Sequence, residues 1–353
     1  MQVLSLQGDH YQMGLQHGQQ VLGLRPLIAA AIDARLEGLA QHGSLNVRLL
    51  SELEPAWTRN AHSTMEMLRG MAETLKLPFS QLFRYAAASY LDDVALSRSG
   101  AEACTVWAAS GPATHEGTPI LTKNRDYSLK HLPLQALAYA APREGYRYLY
   151  VTSAGSPAVF SSGMNEKGLA VADTHVPSKD IGPGLARYVL MMNLLEKHAT
   201  VTSALSYLEK AEQMGAGNLI LADAQGDVVV VESGYKQFGL VSPVENIVAA
   251  TNHFVSSELC GQYLEDYARA SGSESRARLQ VVQTILKEHW GALDVETTQQ
   301  LMAQHKNGSV AICRHDTGDD TSTISNAIFL PAERKLLFCN SRPCGGSYVT
   351  YTL

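Results

Sequence analysis

The sequence predicts an α+β fold in which helices cover largely antiparallel sheets. Three features carry that expectation. The first hundred residues space their apolar side chains at helical intervals, the next stretch changes to strands in hairpin-like pairs, and helical patterns return twice between strands.

A short strand-like start, Val3 to Leu6, opens the chain. From about Gln20 to Leu96 the pattern is helical: Leu22, Leu24, Leu27, Ile28 and Ile32, then Leu49, Leu50, Leu53 and Trp57, then Met65, Met67, Leu68, Met71 and Leu75. Apolar residues three and four apart share one face of a helix, so each group forms a stripe to bury. Pro78 and Ser80 restart a helix with Leu82, Phe83, Leu91 and Val94 on its apolar side. Beyond Ser97-Arg98-Ser99-Gly100 the period becomes that of strands, at Thr105 to Ala108, Pro119 to Thr122, Tyr146 to Val151 and Leu169 to Ala172.

Helices follow at Leu185 to His198 and Ser203 to Met214. Strands resume at Leu219 to Ala222 and Val228 to Glu232, joined by Gln225-Gly226-Asp227, where Gly226 supplies the positive φ of a tight hairpin. Two more helices, Glu274 to Glu288 and Val295 to Gln304, precede a last strand pair, Ile324 to Leu330 and Lys335 to Phe338, turned by Pro331-Ala332-Glu333-Arg334. No internal repeat interrupts this order.

Composition narrows the function. The 353 residues are 45% hydrophobic and 18% charged, an ordinary globular balance that excludes a disordered or fibrous chain. The net charge is −6 with no basic block, so neither nucleic acid nor an anionic membrane finds an electrostatic footprint. The N-terminal stretch lacks the basic and apolar regions of a signal peptide, and no run approaches the ~18 apolar residues of a membrane span. The expectation is a cytoplasmic protein. Five scattered cysteines, Cys104, Cys260, Cys313, Cys339 and Cys344, suit free thiols in a reducing compartment. Cys339 and Cys344 with His315 make a poor metal set because no paired CxxC accompanies them, so no metal and no cofactor is expected.

Cys104 is the candidate nucleophile, because it stands where helices give way to strands, in Ala101-Glu102-Ala103-Cys104-Thr105-Val106-Trp107. A thiol reacts as thiolate, and its reference pKa near 8.5 calls for a base. If the chain is cut before Cys104, the new α-amino group, with a reference pKa of about 7.7 to 8.0, sits a few atoms from the sulfur and serves as that base. The bland alternative is a small apolar residue starting a buried strand.

Motifs around Cys104 bear on that choice. They are Gly8-Asp9-His10-Tyr11-Gln12-Met13-Gly14-Leu15-Gln16-His17-Gly18, Cys104-Thr105, Gly117 to Tyr127 with its Asn124-Arg125-Asp126, Gly163-Met164-Asn165-Glu166-Lys167-Gly168-Leu169, Ala250-Thr251-Asn252-His253-Phe254, Ile312-Cys313-Arg314-His315, and Thr323-Ile324-Ser325 to Pro343-Cys344. In this order and nearly end to end, the chain resembles the acyl-coenzyme A:6-aminopenicillanic acid acyltransferase family, cysteine N-terminal nucleophile hydrolases related to the penicillin V acylases and bile-salt hydrolases.

The resemblance implies a four-layer αββα sandwich and a precursor that cuts itself between Ala103 and Cys104. Residues 1–103 would form a mainly helical α subunit and 104–353 the catalytic β subunit, together one compact heterodimeric domain, with higher oligomers open. It implies that Asp126 holds the new α-ammonium or orients the thiol, that Asn252 is the oxyanion donor, and that Arg314 fixes Asp126 or the Cys104 surroundings. His175 is implied at the oxyanion or substrate and Arg125 at the substrate. Alternation along the strand turns Arg125 away from Asp126. His253, Arg276 and Arg278 read as structural.

The expected activity is hydrolysis of the amide bond of a small N-acyl substrate through an acyl-enzyme thioester. The alternative is N-acyl transfer with acyl-coenzyme A as donor, disfavoured because no basic cluster for its phosphates stands out. A reading of another class is an uncut protein that only binds an amide.

Overall fold

The computed structural model describes residues 1–40, 43–95, 103–264, 272–305, 310–315 and 321–353. The expected change of period at Ser97 to Gly100, the helix end at Leu96 and the stretch Ala101-Glu102 lie outside these residues.

The chain opens with β1 (Gln2–Gly8), then α1 (His10–Gln20), α2 (Arg25–Ala40), α3 (Gly43–Asn60), α4 (His62–Leu75), α5 (Phe79–Ala86) and α6 (Ala88–Ala95). After Cys104 come β2 (Thr105–Ala109), β3 (Ile120–Ser128), β4 (Gln135–Pro142), β5 (Tyr148–Ser153), β6 (Ser162–Asn165) and β7 (Ala170–His175). Helices α7 (Arg187–Lys197) and α8 (Val201–Leu208) lead to β8 (Gly217–Ala222), β9 (Val228–Ser233), β10 (Phe238–Val241) and β11 (Ile247–Ala250). Then α9 (Gly272–Glu288) and α10 (Val295–Met302) precede β12 (Thr321–Leu330), β13 (Lys335–Cys339) and β14 (Tyr348–Thr352).

The strands form two sheets, ordered β1-β4-β5-β6-β7-β8-β9-β10 and β11-β2-β3-β12-β13-β14. Within them β1 and β4 run parallel and the other paired neighbours antiparallel. Period-two alternation then builds the layers. On the large sheet Tyr148, Tyr150, Leu219 and Leu221 pack with helical residues such as Trp57, Leu68 and Leu194. Their alternates Leu149, Val151 and Ile220 meet Val106, Leu121 and Phe329 of the small sheet. The outer face of the small sheet, Trp107, Ile120 and Ile328, packs on Val282, Leu286 and Met302 of α9 and α10. The protein is therefore an α+β, four-layer αββα sandwich, and α1 to α6 share one continuous core with the large sheet.

Several elements depart from the periodicity. Helix α1 has few apolar residues and is held instead by a capping box in which Asp9 accepts from the Gln12 N–H and Gln12 reaches back. A Cβ on Gly14 would run into the Met67 carbonyl and one on Gly70 into that of Tyr11, so these glycines let α1 and α4 cross closely. Strand β4, Gln-Ala-Leu-Ala-Tyr-Ala-Ala-Pro, carries alanines rather than β-branched residues and gives a weak strand signal. Helix α8 stops at Leu208 rather than near Met214, where the backbone turns to make bridges such as Leu185 with Gln213.

Candidate active site

Cys104 lies buried just before β2, whose Thr105 pairs with Asn124 of β3. The pairing carries the thiol to the Asp126 end of β3, with Sγ 4.0 Å from the Asp126 carbonyl oxygen. Alternation sorts the β3 side chains. Lys123 and Arg125 reach toward the large sheet: Lys123 Nζ donates to Asp173 Oδ1 at 2.6 Å and Arg125 to Ser153 Oγ at 2.9 Å. Asn124 and Asp126 use the other face: Asn124 Nδ2 donates to the Met302 and Ile312 carbonyls, and Asp126 Oδ1 accepts from Thr323 Oγ1 at 2.6 Å.

Asp126 is fully buried, and its second carboxylate oxygen has no hydrogen-bond partner among the described residues. Burial pushes its pKa up to about 6, while Arg278, the Thr323 hydroxyl, Arg314 and Lys123 pull the other way. The group is a carboxylate short of one donor.

The densest hydrogen bonding around Cys104 comes from Arg278 on α9. One guanidinium nitrogen donates to the Ala103 carbonyl at 2.6 Å, the Cys104 carbonyl at 2.8 Å and Thr105 Oγ1 at 3.0 Å, and the other to Asn252 Oδ1 at 3.0 Å. Because a guanidinium only donates, it fixes the Asn252 amide with oxygen toward Arg278 and nitrogen toward the His175 carbonyl, 2.9 Å away. The sequence reading took Arg278 as structural; the structure puts it against the bond preceding Cys104. The available signal was its position: with Ser275, Leu279 and Val282 it shares the buried stripe of α9, where an arginine is unusual.

Arg314 occupies a different place. Its guanidinium donates to Glu274 at 3.5 Å, its N–H to Thr323 Oγ1 at 2.8 Å, and its carbonyl accepts from Ser322 Oγ at 3.0 Å. Instead of gripping Asp126 bidentately, Arg314 approaches it through Thr323, which bonds both. His175 Nε2 binds the Asp93 carboxylate at 2.8 and 3.0 Å, linking β7 to α6. His253 hydrogen-bonds Thr251 and Ser275, and burial with the nearby Arg276 and Arg278 lowers its pKa to about 4.

A cavity of about 30 Å³ lies against Cys104. Its walls include Lys123, Arg125 and Asp126 from β3, Asp173 from β7, Phe160, Tyr188 and Met214, and Ser89, Tyr90 and Asp93 from α6. Such a space has room for one or two waters. Lys123, Asp173 and Arg187 form a buried charge group in which the two cations hold Asp173 below the ordinary carboxylate value against the upward push of burial. Arg125 differs: its partners are the Thr152 carbonyl, Ser153 Oγ and the Tyr127 ring, and no carboxylate among the described residues pairs with it.

Two motifs turn out to hold the frame. His17 of the opening motif is fully buried and accepts the Gly155 N–H at 3.2 Å, and burial lowers its pKa to about 4. Asn165 closes the β6–β7 turn by accepting the Lys167 and Leu169 N–H groups while its amide donates to the Leu195 and His198 carbonyls.

Among the described residues no helix is long and apolar enough to cross a membrane. The family model described as "Acyl-coenzyme A:6-aminopenicillanic acid acyl-transferase" matches residues 113–344. The match begins after Cys104 and leaves out the opening motif, a shorter span than the near end-to-end resemblance of the motifs. No protein of curated function matches the chain. Similar solved structures include a mutant of the conjugated bile acid hydrolase from Clostridium perfringens, 14% identical with a TM-score of 0.47 over 71% of this chain and 97% of that one. A Caenorhabditis elegans N-acylethanolamine-hydrolyzing acid amidase ortholog is 14% identical, with a TM-score of 0.48 over 71% of this chain and 100% of that one. The penicillin V acylase from Agrobacterium tumefaciens is also 14% identical, with a TM-score of 0.44 over 67% and 83%.

Proposed function

Since the chain belongs to the acyl-coenzyme A:6-aminopenicillanic acid acyltransferase family, we propose that it is a self-processing cysteine amidohydrolase that cuts itself before Cys104 and then cleaves small N-acyl amides. One observation carries this reading: the Ala103 carbonyl lies 2.6 Å from the Arg278 guanidinium, directly before a buried thiol.

In the uncut chain Cys104 Sγ attacks the Ala103 carbonyl carbon. A C–S bond forms, charge develops on the carbonyl oxygen, and Arg278 stabilises it. The C–N bond then breaks, and the thiol proton ends on the leaving Cys104 nitrogen. Water adds to the thioester carbon, giving the Ala103 carboxylate and a free Cys104 thiol. Residues 1–103 and 104–353 become separate subunits that stay packed as one domain through the shared core. The new α-amino group, which keeps N–H donors as the neutral amine, supplies the donor that the second Asp126 oxygen lacks among the described residues.

The processed site repeats the chemistry on a substrate amide, with the Cys104 α-amine as base and the departing amine taking the proton. Asn252 and Arg278 act as a unit on the oxyanion, each fixing the other. Arg125, which pairs with no carboxylate among the described residues, offers charge to an anionic end of the substrate. His175 gives its carbonyl to Asn252 and its ring to Asp93, and in this reading it backs the oxyanion donor. Arg314 supports Asp126 through Thr323.

Helix α6 walls the small cavity with Ser89, Tyr90 and Asp93. The same acyl-enzyme serves acyl-coenzyme A-dependent transfer when an amine precedes water, and an uncut amide-binding protein is the reading of another class.

Intact-mass analysis of the purified protein is the test. Fragments of 103 and 250 residues, absent in Cys104→Ala, are expected. A panel of N-acyl amino acids and acyl-coenzyme A donors follows. Transfer without hydrolysis overturns the hydrolase, and a chain that stays whole and inactive overturns the enzyme.

A further inference from the structure

We propose that His305, Cys313, His315 and Cys344 bind one zinc-class metal ion in a closed tetrahedral site that touches no reacting atom of the acyl chemistry. Their ligand atoms all lie within 4.8 Å of one another. His315 Nε2 is the centre of the group, 2.8 Å from His305 Nε2 and 3.4 Å from Cys344 Sγ. The two imidazole rings meet edge to face at 76°, with their Nε2 atoms the close pair.

The spacing fits an ion. Bonds of about 2.3 Å to sulfur and 2.0 to 2.1 Å to nitrogen give a tetrahedral shell whose edges are roughly 3.3 to 3.8 Å. The observed separations bracket that range, and shifts of about half an ångström per side chain would open the closest pair to fit it. Chemistry selects the metal class. Two thiolates and two imidazoles suit zinc, whereas calcium and magnesium want oxygen. Four protein ligands leave no open position for a reacting water, which makes the site structural.

The fold assembles these ligands from three places. His305 follows α10, Cys313 and His315 flank Arg314, and Cys344 lies on the connection between β13 and β14. No ligand pair has CxxC spacing, which is why the sequence argued against a metal. The thiol it considered, Cys339, goes elsewhere: its Sγ lies 3.5 Å from the Ser341 carbonyl and 3.9 Å from that of Arg342. Cys313, buried, takes its place. An ion here ties residues 310–315 to the β13–β14 connection, and so fixes the backbone that carries Arg314 beside Thr323.

The test uses the full chain, purified without chelator and measured by elemental mass spectrometry. About one zinc per chain is expected. Cys344→Ser and His305→Ala, both at exposed ligands, each lose the metal to background, while circular dichroism reports that they remain folded. Cys339→Ser keeps full occupancy. Cobalt(II) in place of zinc gives the intense visible bands of a tetrahedral thiolate site. Three outcomes overturn the proposal: no zinc uptake by a chain whose thiols are intact by mass, metal retained in both ligand variants, or a Cys313–Cys344 disulfide seen as the loss of two hydrogens. None depends on self-cutting or on amide hydrolysis, so failure here and failure of the proposed activity are separate results.

Discussion

Cys104 and Cys313 are both buried thiols, and their surroundings ask for opposite chemistry. Around Cys104 the partners are hard: a guanidinium, backbone carbonyls, an aspartate and an amide, with one carbonyl carbon next in the chain. Around Cys313 they are soft: a second thiol and two imidazoles. A nucleophile needs an electrophile fixed within reach and charge placed where the oxyanion will form. A metal ligand needs other ligands at the same distance from one point. What distinguishes the two sites is therefore the neighbours each thiol meets.

The largest test of that contrast removes the sulfur at one site. Cys104→Ala is expected to abolish the cut, leaving a single chain of 353 residues on a denaturing gel. Cys313→Ala is expected to leave the nucleophile and its carbonyl in place and to give both fragments. Cutting that persists without Cys104, or stops only without Cys313, reverses the assignment.

Next in size is Arg278. Losing one donor to a developing oxyanion costs about 10²- to 10³-fold in rate. Arg278→Lys keeps the charge but gives up the fork that spans Ala103, Cys104 and Asn252, so the cut slows by about that factor in a time course of fragment formation. Arg278→Ala also strands four buried oxygens and is expected to destabilise the chain by roughly 3 to 5 kcal/mol in a denaturant titration. If Arg278→Lys cuts at the unmodified rate, the guanidinium is only a packing group.

The layers were legible because both signals that build them are local. Helical stripes such as Met65-Leu68-Met71 and alternating strands such as Tyr148 to Val151 each name their buried face. Elements set by specific hydrogen bonds were not: α1 rests on the Asp9 cap, and β4 on pairing with β1 and β5 despite its alanines. The site divides along the same line. Asp126 and Asn252 stand in short motifs near strand ends, whereas Arg278 reaches Cys104 from a helix remote in sequence, 174 residues away. The Cys313 cluster was illegible for the same reason, since its ligands become neighbours only when three separate segments meet.

A smaller effect separates the uncut from the cut state. Burial raises the Asp126 pKa from 3.8 to about 6, so the folded uncut chain favours the protonated carboxyl. Its contribution is full below the unfolded value and is lost as pH rises through about 6, at a cost of up to about 3 kcal/mol at neutral pH. In the uncut Cys104→Ala chain, Asp126→Asn is expected to flatten the stability slope between these two pKa values and to raise Tm at pH 7. In the cut chain the α-ammonium should instead favour the charged carboxylate, and the same substitution should destabilise. A Tm series across pH on both forms reads the difference, and an identical response in both would remove the ammonium from Asp126.

The smallest effect tests how far the two thiol sites communicate. Cys313 and His315 flank Arg314, whose N–H bonds Thr323 Oγ1, and that hydroxyl in turn donates to Asp126. Stripping the metal leaves Cys104, Arg278 and Asn252 in place but frees the backbone that seats Arg314. A hydrogen bond loosened at that remove is worth about 1 kcal/mol, roughly fivefold in rate. Chelation before processing should therefore slow the cut by about that factor, with zinc restoring it, while Cys344→Ser is slow with or without zinc. A rate indifferent to zinc would mean that the two cysteine sites share a fold and nothing else, because Thr323 holds Asp126 equally well when residues 310–315 are untied.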